Sequence, residues 1–194
     1  MIKNYFTSAS LRTIGVFLFA ICLVASSCKK DDNNTTTVTI NYDAANLSAP
    51  AFAAGTFRGA AKFPASYLAE NVGGNLTAID FYIRALPTDC KVQVYSKSDA
   101  SMELVYEANV QGSLSPNSWI THTLASPIAI SSEDLWLAVE YTAGNTGVLG
   151  CDPGPSAMNG DWYYDASVGT WDPLSDVTNI DINWNIRGKI EIEE

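Results

Sequence analysis

From residue 38 onward, hydrophobic and polar residues alternate in short runs separated by turn-forming residues. A period of two places successive side chains on opposite faces of a β-strand. The cleanest run is the last, residues 181–190. It puts Ile182, Trp184, Ile186, Gly188 and Ile190 on one side and Asp181, Asn183, Asn185, Arg187 and Lys189 on the other. Residues 135–141 align Leu135, Leu137, Val139 and Tyr141, and residues 77–85 align Ile79, Phe81, Ile83 and Ala85. Further runs predict strands at 38–42, 57–63, 90–95, 102–110, 118–124, 127–130 and 146–151. The stretches LPTD, KSDAS, SLSPNS, SSED and AGNTG between them are turn material. One short helix is predicted over 64–70, where Pro64 precedes good helix formers.

Many short alternating strands with almost no helix predict an all-β fold, an antiparallel two-sheet β-sandwich. One apolar face per strand is what two face-packed sheets require. A jelly-roll wiring is preferred, ahead of an immunoglobulin-like one. Trp184 is expected in the core. Trp136 is expected to face away from Leu135 and Leu137, exposed or covered by the small-residue segment 43–56.

The first 37 residues have another pattern. Lys3 and Arg12 precede an unbroken run over residues 14–25, too short for a bilayer span of about 20 residues. A basic start, an apolar stretch and small residues together predict a secretory signal over 1–27. Ala25-Ser26-Ser27-Cys28 resembles the cleavage site of a bacterial lipoprotein, with Cys28 as the lipidated first residue; Ala25 stands where such sites usually carry leucine. Cys22 is the poorer position, because bulky Ile21 precedes it. Lys29-Lys30-Asp31-Asp32 resembles a short surface-export tag of outer-membrane lipoproteins, and 28–37 reads as a polar tether before the domain at 38–194. This predicts an outer-membrane, lipid-anchored, surface-exposed protein.

Residues 1–27 hold two of the 11 basic residues and none of the 21 acidic ones, so the remainder carries a formal charge of −12. That opposes binding to nucleic acid or an anionic bilayer, leaving the lipid as the membrane contact. Cys90 and Cys151 remain, either as a disulfide pair or as two buried thiols.

Taken in order, NLTAIDFYI, KVQVYSKSDASMELVYEANV, SWITHTLASPIAISSEDLWLAVEY, GCDPGPSAMNGDWYYD and GTWDPLSDVTNIDINWNIRGKI resemble the jelly-roll accessory domains of secreted peptidases and adhesin-like surface proteins of Gram-negative anaerobes. The resemblance spans residues 55–190. Its most specific pieces are Gly-Cys-Asp-Pro-Gly-Pro at 150–155, Gly-Asp-Trp at 160–162 and Asn-Trp-Asn-Ile at 183–186. It implies a non-catalytic module for adhesion or substrate binding.

Candidate chemistry is sparse. His122 is the only histidine, and it shares a predicted strand face with Ile120 and Leu124, where packing suits it better than proton transfer. One histidine and two unlipidated cysteines make a zinc site improbable. No cofactor is expected beyond a structural calcium. Asp152, Asp161, Asp165 and Asp172 crowd one region, as solvated turn residues or as calcium ligands. A glycosidase carboxylate pair is a distant third function. Trp162, Tyr163, Tyr164 and Trp171 lie in the expected loop 158–176, where they either stack on sugar rings or staple the loop to the sandwich. The leading expectation is a surface module binding a glycan or a protein; the alternative is a structural or assembly lipoprotein of the envelope without a small ligand.

Overall fold

The computed structural model describes residues 34–98 and 101–193. The signal, Cys28, the lysine–aspartate tag and most of the tether lie outside the described residues. The described residues form ten strands: β1 (Thr35–Ile40), β2 (Gly55–Phe63), β3 (Asn75–Ile83), β4 (Asp89–Lys97), β5 (Met102–Asn109), β6 (Ser118–Ala129), β7 (Asp134–Ala143), β8 (Trp162–Asp165), β9 (Trp171–Pro173) and β10 (Ile186–Glu193). Two one-turn α-helices accompany them, α1 (Ala65–Leu68) and α2 (Leu174–Val177), with 3-10 turns at Ala69–Asn71 and Gln111–Ser113.

The strands form two antiparallel sheets, with order β1-β10-β3-β6 in one and β5-β4-β7-β2-β8-β9 in the other. The chain repeatedly crosses between sheets, and β1–β7 together with β10 have jelly-roll wiring. The two-sheet sandwich expected from the alternation is therefore present. Strands β8 and β9 are inserted between β7 and β10 and extend the second sheet beyond β2.

The core lies between the inner faces. Ile79, Phe81 and Ile83 meet Leu137, Val139, Tyr141, Val92 and Val94, all fully or almost fully buried. Trp184 is 1% exposed. Its ring lies so close to β2 that a Cβ on Gly59 would be 3.0 Å from it and 2.5 Å from Leu149. Only glycine allows that approach.

Several boundaries differ from the sequence pattern. β1 starts at Thr35, so the last threonines of the predicted tether pair with β10. Residues 118–129 form one strand instead of two. Residues 146–151 make only isolated bridges, Leu149 to Ile83 and Cys151 to both Ser48 and Trp184. Residues 181–185 precede β10 without joining its ladder, apart from a bridge between Trp184 and Cys151. On their polar side Asp181 is exposed, but Asn183 and Asn185 are both buried. The expected loop 158–176 holds β8, β9 and the start of α2.

Candidate functional site

The outer face of the six-stranded sheet carries a second apolar cluster, separate from the core. Ala60 on β2 and Ala138 on β7 are Cα partners, and their methyl groups give a low floor. Trp136 on β7 covers this floor and is 2% exposed. Trp162 from β8 and Trp171 from β9 pack against it, with ring centroids 4.7 and 5.5 Å away. Tyr164 lies 5.4 Å and Tyr95 6.1 Å from the Trp171 ring. Strand register explains the gathering: Ala60 pairs with Trp162, Arg58 with Tyr164, and Tyr164 with Trp171. Trp162, Tyr164, Trp171 and Tyr95 stay half-buried, so parts of their rings face solvent. The Trp136 indole N–H is buried with no acceptor, an arrangement that costs about 1–3 kcal/mol in general.

A polar ladder crosses the same face. The Tyr95 hydroxyl donates to Gln93 Oε1 at 2.7 Å, and Gln93 Nε2 donates to Glu107 at 2.7 Å. Lys91 bridges Glu107 at 3.2 Å and Glu140 at 3.9 Å. Arg58 Nε donates to Glu140 at 2.6 Å, and its guanidinium lies 4.3 Å from the centroid of the Tyr164 ring. The Gln93 bond, joined by Lys91, holds the Glu107 carboxyl below its ordinary value. Burial raises the Tyr95 phenol. The result is a fixed set of donors and acceptors beside partly open aromatic faces.

Of the four aromatics singled out in the sequence, three meet here and one does not. Tyr163 projects to the opposite side of β8, between Phe52 at 4.9 Å and Phe57 at 5.9 Å. Burial, with Asp165 nearby, pushes its phenol up to about 12. Trp136 does face away from Leu135 and Leu137, but tryptophans cover it instead of the 43–56 segment. Tyr95, Gln93 and Arg58 were not foreseen. They are brought here by cross-strand register, which no local pattern encodes; the alternation of β4 was the available hint.

The four aspartates are not brought together in one place. Among the described residues no three His, Cys, Asp or Glu side chains are grouped to hold a metal ion. Each carboxylate instead accepts hydrogen bonds from backbone amides or side-chain donors around it. Asp152, buried, accepts from the amides of Ala44, Gly154 and Asn183 at 3.0, 2.9 and 2.8 Å, and from Asn183 Nδ2. Burial opposes its ionisation, yet these donors prevail and lower its pKa. Asp161, also buried, accepts from the Ser175 amide and hydroxyl. Asp165 closes a turn with Ser167, and Asp172 accepts from Thr170.

Cys90 and Cys151 are not joined: both are buried free thiols, with Cys151 Sγ 3.3 Å from the Ser48 hydroxyl. Burial raises the Cys90 thiol to about 12, that of an inert core residue. His122 Nε2 lies 2.8 Å from the Tyr106 hydroxyl, and burial lowers its pKa.

No protein-family model matches the chain, and no curated protein sequence does. Among solved structures it is similar to a clostridial cysteine protease, Cwp84, after propeptide cleavage. The TM-score is 0.55 at 12% identity, over 81% of this chain and 40% of that one. The chain thus matches less than half the length of that protein. At this identity the likeness concerns the β-sandwich fold alone.

Proposed function

We propose that this protein is a non-catalytic binding module, anchored in the outer membrane by a lipid on Cys28 and facing the cell exterior, and that it binds a glycan on the outer face of its six-stranded sheet. One observation carries the reading. A sheet face turned away from the core holds Tyr95, Trp162, Tyr164 and Trp171 with their rings partly uncovered, next to a fixed hydrogen-bonding ladder. Sugar rings present apolar C–H faces that stack on aromatic faces, and their hydroxyls both donate and accept. Arg58, Lys62 and Lys91 are already ion-paired with Glu140, Asp134 and Glu107. No unpaired cation remains among these three for a carboxylate or sulfate, so a neutral glycan fits best.

A glycan array probed with the chain lacking residues 1–32 tests this. We expect retention on neutral glycans, lost in Trp171→Ala and retained in Trp119→Ala, which alters the other sheet. Failure to bind any glycan, with capture of a single envelope protein that Trp171→Ala leaves intact, would favour an assembly role. Incorporation of labelled fatty acid, abolished by Cys28→Ala, tests the anchor.

A further inference from the structure

The six-stranded sheet is two strands wider than the sheet it packs on, because β8 and β9 extend it past β2. On the inner side of this overhang, Phe52 and the residues at the end of α2 border a groove of about 270 Å³. Phe52 and Tyr163 form its aromatic wall, with rings 4.9 Å apart. Val168 and Val177, 70% and 52% exposed, stand at its mouth. Asp165 and Asp172 line it as well. Their placement follows from register: Asp172 is the Cα partner of Tyr163, and Asp165 is two residues further along the same strand, so all three project to one side.

Each carboxylate has one oxygen engaged locally, Asp165 Oδ1 by Ser167 and Asp172 Oδ2 by Thr170. Among the described residues neither forms an ion pair with a lysine or arginine. Two acids beside an aromatic and valine wall select against anions and against purely apolar groups. A bare metal ion would find only two acidic side chains and leave the apolar wall unused. We infer that this groove binds the lysine side chain of a polypeptide partner: its ammonium lies between Asp165 and Asp172, and its methylene stem lies along Phe52, Tyr163 and Val177. The chain's formal charge of −10 favours the approach of such a partner. The groove and the aromatic platform use opposite faces of the same β8–β9 hairpin, so the two proposals stand or fall separately.

The test is an amide-shift titration of the full chain in detergent micelles with an N-acetylated, C-amidated Gly-Lys-Gly peptide. The expected result is saturable shifts at Tyr163, Asp165, Asp172 and Val177, with the amides of Tyr95 and Trp136 unmoved. Acetylating the lysine ε-amine, or the substitution Asp172→Asn, weakens binding about tenfold, the loss expected for one ion-pair contribution. Val177→Lys, an exposed substitution, places an amine at the mouth and weakens peptide binding similarly. Absence of saturable shifts overturns the inference. Equal binding of the acetylated peptide overturns it too, as does equal binding by both variants.

Discussion

The outer faces of the two sheets answer to different demands. On the four-stranded sheet, β1 shows threonines, and Asp80 is held by Lys189 at 2.9 Å and by Thr121 at 2.6 Å. Its single exposed tryptophan, Trp119, lies beneath the Arg187 guanidinium at 4.2 Å. This is how a sandwich ordinarily meets water. The six-stranded sheet turns a tryptophan cluster outward instead. Both faces cover the same core, but only the second gathers tryptophans. The glycan proposal rests on that difference.

Four substitutions probe this contrast, from the deepest layer outward. Trp184→Ala empties the shared core and removes the indole bond to the Trp162 carbonyl; a loss of about 3–5 kcal/mol is expected in denaturant titration. Asp152→Asn leaves the Ala44, Gly154 and Asn183 amides short of a charged acceptor and costs about 1–3 kcal/mol. The Asp152 pKa is depressed in the folded state, so its stabilisation is present above the unfolded value of about 3.9 and fades as pH falls through the folded value. Melting temperatures measured downward from pH 6 should fall below about pH 4, more steeply in the wild type than in Asp152→Asn. Trp171→Ala removes a half-buried ring and costs roughly 1–2 kcal/mol while abolishing glycan retention. Lys189→Ala, on the polar face, stays within about 0.5 kcal/mol and leaves binding alone. If Trp171→Ala proves as destabilising as Trp184→Ala, the outer cluster belongs to the fold and the contrast collapses.

The inner faces were readable from sequence because burial there follows simple alternation. Ile79, Phe81 and Ile83, or Leu135, Leu137 and Val139, announce both strand and orientation. The outer platform was only half readable. Trp162, Tyr164 and Trp171 stood out as aromatics among turn residues, but WYYD is apolar at consecutive positions and gives no sign of which ring faces which way. Pairing with β2 decides that, and it separates Tyr163 from its neighbours. The buried faces of Asn183 and Asn185 misled for the opposite reason. Alternation assigns polar residues to water, whereas here Asp152 and Asp43 come across from distant loops to accept from their side-chain Nδ2 groups. Long-range hydrogen bonding of this kind leaves no periodic trace.

The first residue of β1, Thr35, is the Cα partner of Glu193, the last residue of β10. The sandwich is therefore a loop closed on itself, with its two ends one strand spacing apart, about 4.8 Å. A body of this shape is modular in the carpenter's sense. It can be spliced into the surface turn of another protein, or strung in series with copies of itself, without prising either host or guest open. Cutting it elsewhere and sealing these ends with a short bridge should preserve both the tryptophan face and the carboxylate groove.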